Sequence, residues 1–236
     1  MKSAEKQLIS MLKSFSTPEK IEKAKRYFKT GKGDYAEHDI FWGITTPEIR
    51  YVIRDFTFTL SLTQIETILN SPIHEARMAA LFMLVARYQK RDEEREDIAK
   101  LYLNNTKNIN NWDLVDISAA KILGAHFFNR DDTTLLRLSQ SPDLWEQRIA
   151  IVSTHHHILN DSFDLTLKLC QSFLNHPHDL IHKACGWMLR EIGKRSPKVL
   201  VNWLNIHYQE MPRTMLRYSI ERFDENMRQA YLKGKI

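Results

Sequence analysis

Apolar residues recur at three- and four-residue spacing along almost the whole chain, and β-branched alternation is nearly absent. That period belongs to amphipathic helices, whose apolar positions fall on one face, and not to strands. It predicts helices over 4–15, 18–28, 47–55, 61–69, 72–89, 92–104, 113–128, 132–140, 143–158, 162–175, 178–194, 197–208, 213–223 and 225–233. Start signals punctuate the pattern. Ser16, Thr17 and Pro18, then Thr46-Pro47, Ser71-Pro72, Ser141-Pro142 and Ser196-Pro197, repeat a capping hydroxyl followed by a residue suited to a first turn. One stretch breaks the period. Residues 29–45, KTGKGDYAEHDIFWGIT, hold three of the seven glycines and read as a loop. A long loop in a helical chain is either a functional element or a plain connection, and both readings stay open.

The helices also resemble one another. HEARMAALFML, LVDISAAKILG, EQRIAIVSTHH, HKACGWMLREI and PRTMLRYSIER each open on a polar residue and continue with small or apolar ones. Aligned on Arg77, Asp116, Arg148, Lys183 and Leu216, they recur every 32–39 residues. That interval suits helix pairs stacked into an α-α superhelix, a HEAT-like α-solenoid. The expectation is an all-α fold with a concave basic face, in one domain over 1–236. An irregular helical bundle is the other arrangement the pattern allows.

Charge sharpens this picture. The chain of 236 residues carries 34 Lys and Arg against 29 Asp and Glu. From His182 onward there are 11 basic and 5 acidic residues, so the last quarter accounts for the net excess. A basic segment suits a polyanion such as nucleic acid, or is simply a solvated surface. Cys170 and Cys185 sit inside apolar helical patterns without CxxC spacing, which fits reduced core thiols in a cytoplasmic protein. The first fifteen residues have scattered charges and no continuous apolar run, unlike a signal peptide, and no stretch is long enough to span a bilayer. HExxH, Walker A, GxGxxG and GxSxG motifs are absent, as is a zinc-type ligand set, so no metal or cofactor is expected. His155, His156 and His157 are consecutive, so a helix splays them apart, and they read as structural or solvated.

Candidate chemistry gathers at helix openings. Lys183, Trp187, Arg190 and Lys194 are spaced 4, 3 and 4 apart and share one helix face. Such a stripe suits a sugar-phosphate backbone: the cations hold phosphates, and the indole packs on sugar or base. Arg213 and Arg217 extend it. The plain alternatives are surface ion pairs and a core tryptophan. In NNWDLVDIS, residues 110–118, Trp112 and Asp116 lie one helical turn apart. A carboxylate on a cationic surface repels the polyanion, so if it lies there it serves something other than affinity. Stabilising positive charge as a glycosidic bond breaks is one such purpose, because that reaction passes through an oxocarbenium-like state. An indole face one turn away adds cation–π attraction. Equally, Asp113 or Asp116 only caps or pairs, and Trp112 only packs.

At these residues the sequence resembles the AlkD-type DNA alkylation repair glycosylases. The matching pieces are RYFK at 26–29, FWGITTPEIR at 41–50, NWDLVD at 111–116, LWEQRIAI at 144–151 and IHKACGWMLRE at 181–191, in the family's order and over nearly the whole chain. The resemblance implies a HEAT-like solenoid gripping duplex DNA and excising purines alkylated at N3 or N7, without burying the damaged base in a pocket. By the motif match Asp116 corresponds to the catalytic carboxylate, and Trp112 and Trp187 to the aromatic pair against the lesion's deoxyribose. Arg148 corresponds to a DNA-contacting arginine and Tyr27 to a tyrosine near the lesion. Lys183, Arg190, Lys194, Arg213 and Arg217 complete the expected DNA track. N3- or N7-alkylation leaves a formal positive charge on the purine, so the base departs without a general acid and one carboxylate suffices. Two departures stand out. Thr45 occupies a place where better-known members carry glutamine, which bears on damage preference. The glycine-bearing segment 29–40 is longer, and its Lys29, Lys32 and Tyr35 either touch DNA or only cover the first helices.

The expected protein is therefore a monomeric, cytoplasmic glycosylase acting on double-stranded DNA with alkylated purines. The rivals are a non-catalytic HEAT-repeat protein that recognises damaged or branched DNA, and a protein-binding helical scaffold.

Overall fold

A computed structural model describes residues 3–236 of the chain. Among them the regular elements are all helices, joined at one point by an isolated parallel bridge between Ile40 and Ile73. The helices are α1 (Ala4–Lys13), α2 (Pro18–Tyr27), α3 (Thr46–Ile53), α4 (Leu62–Leu69), α5 (His74–Lys90), α6 (Arg95–Asn104), α7 (Trp112–Ser118), α8 (Ala125–Phe127), α9 (Thr133–Ser139), α10 (Leu144–Leu159), α11 (Asp164–Ser172), α12 (Asp179–Arg195), α13 (Pro197–His207), α14 (Arg213–Ser219) and α15 (Glu225–Leu232). A π-helical turn over Ala120–Gly124 separates α7 from α8, where the apolar period predicted one uninterrupted helix over 113–128. Such turns insert one residue into an α-helix, which a smooth apolar period does not register.

The residues form two compact units, Met1–Ile122 and Leu123–Ile236, each with its own core. In the first, α5 is central. It packs against α1, α3, α4, α6 and α7 and is buried on almost every side. A helix surrounded in this way is apolar all round, and α5 departs from that at His74, Glu75, Arg77 and Arg87. Each of these has hydrogen-bonding or ionic partners, as burial of polar groups requires. In the second unit α9 packs on α10 and α11 on α12, α10 packs on α12 and α12 on α14, and α13 packs back on α12. The stacking of α10, α12 and α14 falls at the spacing of the last three segments that the 32–39-residue interval aligns. The close approach of α12 and α14 runs over Gly186: a Cβ there would stand 2.6 Å from the Met215 carbonyl oxygen.

Four of the five Ser/Thr-Pro signals resolve into two devices, while Ser196 precedes Pro197 at the head of α13 without a side-chain cap bond. Thr17 caps α2, accepting from the Lys20 amide, and Thr45 with Glu48 forms a capping box on α3. At Ser71-Pro72 and Ser141-Pro142 the helices begin two residues later than the prolines suggest. There the serine hydroxyl accepts from the amide two residues on, at Ile73 and Asp143, and so forms a tight turn ahead of the helix. Cys170 and Cys185 are buried and free, and burial raises the Cys170 thiol well above its usual range. Among the described residues no helix is long and apolar enough to cross a membrane.

Candidate nucleic-acid and catalytic site

In the first unit the site is built on the opening of α7. Asn111 caps it: its side-chain oxygen accepts from the Trp112 amide at 2.8 Å, and the side chain is fully buried. Trp112 follows, half-buried, with its ring centroid 5.9 Å from Tyr27 and 5.7 Å from Phe28. Its indole Nε1–H donates to the Tyr35 hydroxyl at 3.1 Å. Tyr27, at the end of α2, is 64% exposed and presents its face to solvent beside this cluster.

The two acids of the nonapeptide part company. Asp113 is buried, and its Oδ2 lies 2.8 Å from His74 Nε2 at the start of α5. The other ring nitrogen of His74 faces Asp39 at 3.3 Å, and Arg77 donates to the same Asp39 carboxylate at 2.6 Å. Burial pushes His74 towards the neutral form. The Asp113 charge and the hydrogen bonds to Asp113 and Asp39 outweigh burial and raise its pKa to about 9, so the ring is an imidazolium bridging two carboxylates. Burial likewise works against ionised Asp39, yet the bond from His74 and the Arg77 charge bring its pKa down to about 2. Asp116, one turn beyond Trp112 on the same face, is half-buried. It lies near enough to the buried Tyr102 for its charge to add to the effect of burial in raising that phenol's pKa. The phenol is held by Ser118 at 2.9 Å.

The glycine-bearing loop is anchored on α5. Backbone amides of Trp42, Gly43 and Ile44 all donate to the buried Glu75 carboxylate, at 2.6–3.2 Å. Gly43 adopts φ +73°, and a Cβ there would overlap the backbone of Lys20, so the loop requires glycine at this point. Thr45 is exposed at the cap of α3. A cleft of about 700 Å³ opens between α2, this loop and α5, lined among others by Lys23, Arg26, Tyr27, Phe28, Thr45 and Asp113.

In the second unit the predicted stripe lies on α12 as its spacing requires. Lys183 pairs with Asp179 at 2.8 Å, and Lys194 with Glu191 at 2.7 Å. Arg190 reaches both Glu191 and Glu221. Trp187 is half-buried, 5.7 Å from the His155 ring, and its indole donates to Glu191 at 3.1 Å. Glu191 thus sits inside a stripe that the sequence presented as cationic; its place was visible at four residues beyond Trp187, but its bonds were not. Arg213 and Arg217 are exposed on α14, Arg213 donating to the Leu232 carbonyl at 3.0 Å. Arg148 is 4% exposed, and its guanidinium donates to the Leu180 carbonyl at 2.6 Å, tying α10 to α12. Sequence reasoning missed Asp39, His74 and Glu75 altogether. Their partners lie 31 to 72 positions away, and the signal available was a pair of ionisable residues, His74 and Glu75, opening a helix that is largely apolar.

The family of DNA alkylation repair enzymes matches residues 8–223. Among solved structures, a protein from Enterococcus faecalis described as a predicted DNA alkylation repair enzyme superposes with a TM-score of 0.69 at 20% identity, covering 89% of this chain and 97% of that one. A search of functionally curated proteins finds no match.

Proposed function

Since this chain belongs to the family of DNA alkylation repair enzymes, we propose that it is a DNA glycosylase hydrolysing the N-glycosidic bond of purines alkylated at N3 or N7 in duplex DNA. The observation that carries this reading is the division of labour at the α7 opening. Asp113 is buried against His74, and Asp116 is half-buried one turn beyond Trp112 on the same face of α7.

In this reaction the C1′–N bond breaks heterolytically and its electron pair neutralises the cationic purine, which leaves without prior protonation. Positive charge remains on the sugar. The Asp116 carboxylate stabilises it and orients a water whose oxygen adds to C1′; the surplus proton passes to the carboxylate or to solvent. Trp112 lies against the sugar, and its π-face reinforces the same charge by about 0.5–2 kcal/mol. Tyr27 and Thr45 approach the lesion. Lys183, Arg190, Lys194, Arg213 and Arg217 neutralise phosphates; Lys183 exchanges an exposed pair with Asp179, worth ~0–1 kcal/mol, for a phosphate contact. Arg148 acts from beneath, holding α10 against the turn of α12 that leads to Lys183.

The test is single-turnover release of N7-methylguanine from methylated duplex. Asp116→Asn is expected to abolish release while retaining duplex affinity. Full activity in that variant rules out the assigned chemistry, and a wild type that binds duplex but frees no base points to a non-catalytic reader of damaged DNA.

A further inference from the structure

We propose that the glycine-bearing segment 29–45 belongs to the working site, with Tyr35 and Asp39 as positioning residues that hold Trp112 and the opening turn of α7. The proposal builds on the roles given to Trp112 and Asp116 above. Four consecutive residues at the start of α7 are each secured by a bond that leads back to this segment. Asn110 Nδ2 donates to Asp39 at 3.3 Å, and Asn110 Oδ1 accepts from Arg77, which itself holds Asp39. Asn111 Nδ2 donates to Asp39 at 3.1 Å while its oxygen caps Trp112. Trp112 Nε1 donates to Tyr35. Asp113 is reached through His74, whose other nitrogen faces Asp39.

A plain connection between α2 and α3 would leave its polar side chains in water. Asp39 instead places its carboxylate in the interior, with four different donors around it. Tyr35 acts on the polar edge of Trp112, its indole Nε1. Phe28 and Tyr27 flank the indole ring, but only a hydrogen bond to Nε1 fixes which edge faces outward. Tyr35 is half-buried, and burial raises its pKa, so the hydroxyl stays neutral and accepts the indole proton across the physiological range. Asp116 rides on the same short helix, one turn on. Reaction rates respond to displacements of about 1 Å with changes of up to ~100-fold, so a clamp on this turn bears on turnover more than on affinity.

The test is Tyr35→Phe, with Asp39→Asn as a second variant and Trp112→Phe used to assign the Trp112 indole N–H resonance in the free protein. In Tyr35→Phe the expected results are a shifted indole resonance, faster exchange of that proton with solvent, and single-turnover base release slowed about ten-fold. Duplex Kd should stay within about two-fold of wild type, because the variant removes no phosphate contact. A Tyr35→Phe protein whose Trp112 indole is indistinguishable from wild type, or whose release rate is unchanged, overturns the proposal. If wild type itself frees no base, the glycosylase reading falls, and the indole alone decides: a changed resonance and exchange rate sustain the clamp, unchanged ones refute it. Should Asp39→Asn fail to fold, Tyr35→Phe carries the test alone.

Discussion

Asp113 Oδ2 stands 2.8 Å from Nε2 of a His74 ring that is almost wholly buried, and this pairing separates the two acids of the α7 opening. Removing one member of a buried charge pair leaves the other uncompensated, at a cost of about 3–5 kcal/mol. Asp113→Ala is therefore expected to lower Tm strongly, and Asp116→Ala to lower it less while losing base release. Chemical denaturation beside a release assay checks both. Equal Tm losses, or activity lost in step with stability at both positions, would contradict the division.

Protonation of the same network sets a pH dependence. The pKa of His74 rises from 6.5 to about 9 on folding, so its contribution is complete below about 6.5 and is lost as pH climbs through about 9. That of Asp39 falls from 3.8 to about 2, so its contribution is present above 3.8 and is lost as pH drops through about 2. The groups facing His74 are Asp39, Asp113 and Arg77. The stability gap between wild type and His74→Gln should be widest near pH 6, on the order of 3 kcal/mol, and shrink as pH rises through about 9. Urea titrations at stepped pH would show it. A gap that widens with rising pH would place the proton elsewhere.

Gly43→Ala meets two obstacles: a left-handed φ of +73° and the Lys20 backbone. Strain at such a position is about 1–3 kcal/mol, and relief by movement of the loop would pull the amides off Glu75. The expected outcome is a clear fall in Tm, whereas Gly33→Ala, at φ +83° but in open space, should cost the backbone strain alone, about 1–2 kcal/mol.

The α12 cations make a graded prediction for DNA binding. Lys183→Ala and Lys194→Ala should each flatten the dependence of log Kobs on log salt by about one contact. Arg148→Ala should instead lower stability and leave that slope nearly intact, since its guanidinium is engaged with Leu180 in the interior. Fluorescence anisotropy across a salt series distinguishes these effects.

The helices and the helix-pair interval were legible because burial of one face imprints itself on sequence every three or four residues. The α12 stripe was legible for the same reason, since Lys183, Trp187, Arg190 and Lys194 share a face by spacing alone. Asp39 and His74 were not, because a pairing across 35 positions depends on where the loop returns to α5. The intrusion of Glu191 into the stripe was missed because spacing places a side chain without saying which neighbour it reaches for. Nor could the nonapeptide say which of Asp113 and Asp116 turns inward: that depends on His74 arriving from another helix.

The grip of Trp42, Gly43 and Ile44 on Glu75 has one more implication. Three converging amides of this kind commonly receive a phosphate or sulfate brought in from solution. Here the protein supplies its own tenant, tethered by a peptide chain and impossible to wash out. The loop is thereby kept in shape whether or not a nucleic acid is nearby, so any backbone phosphate that approaches this face has to be met by side chains instead of by the vacant-looking curl of main chain.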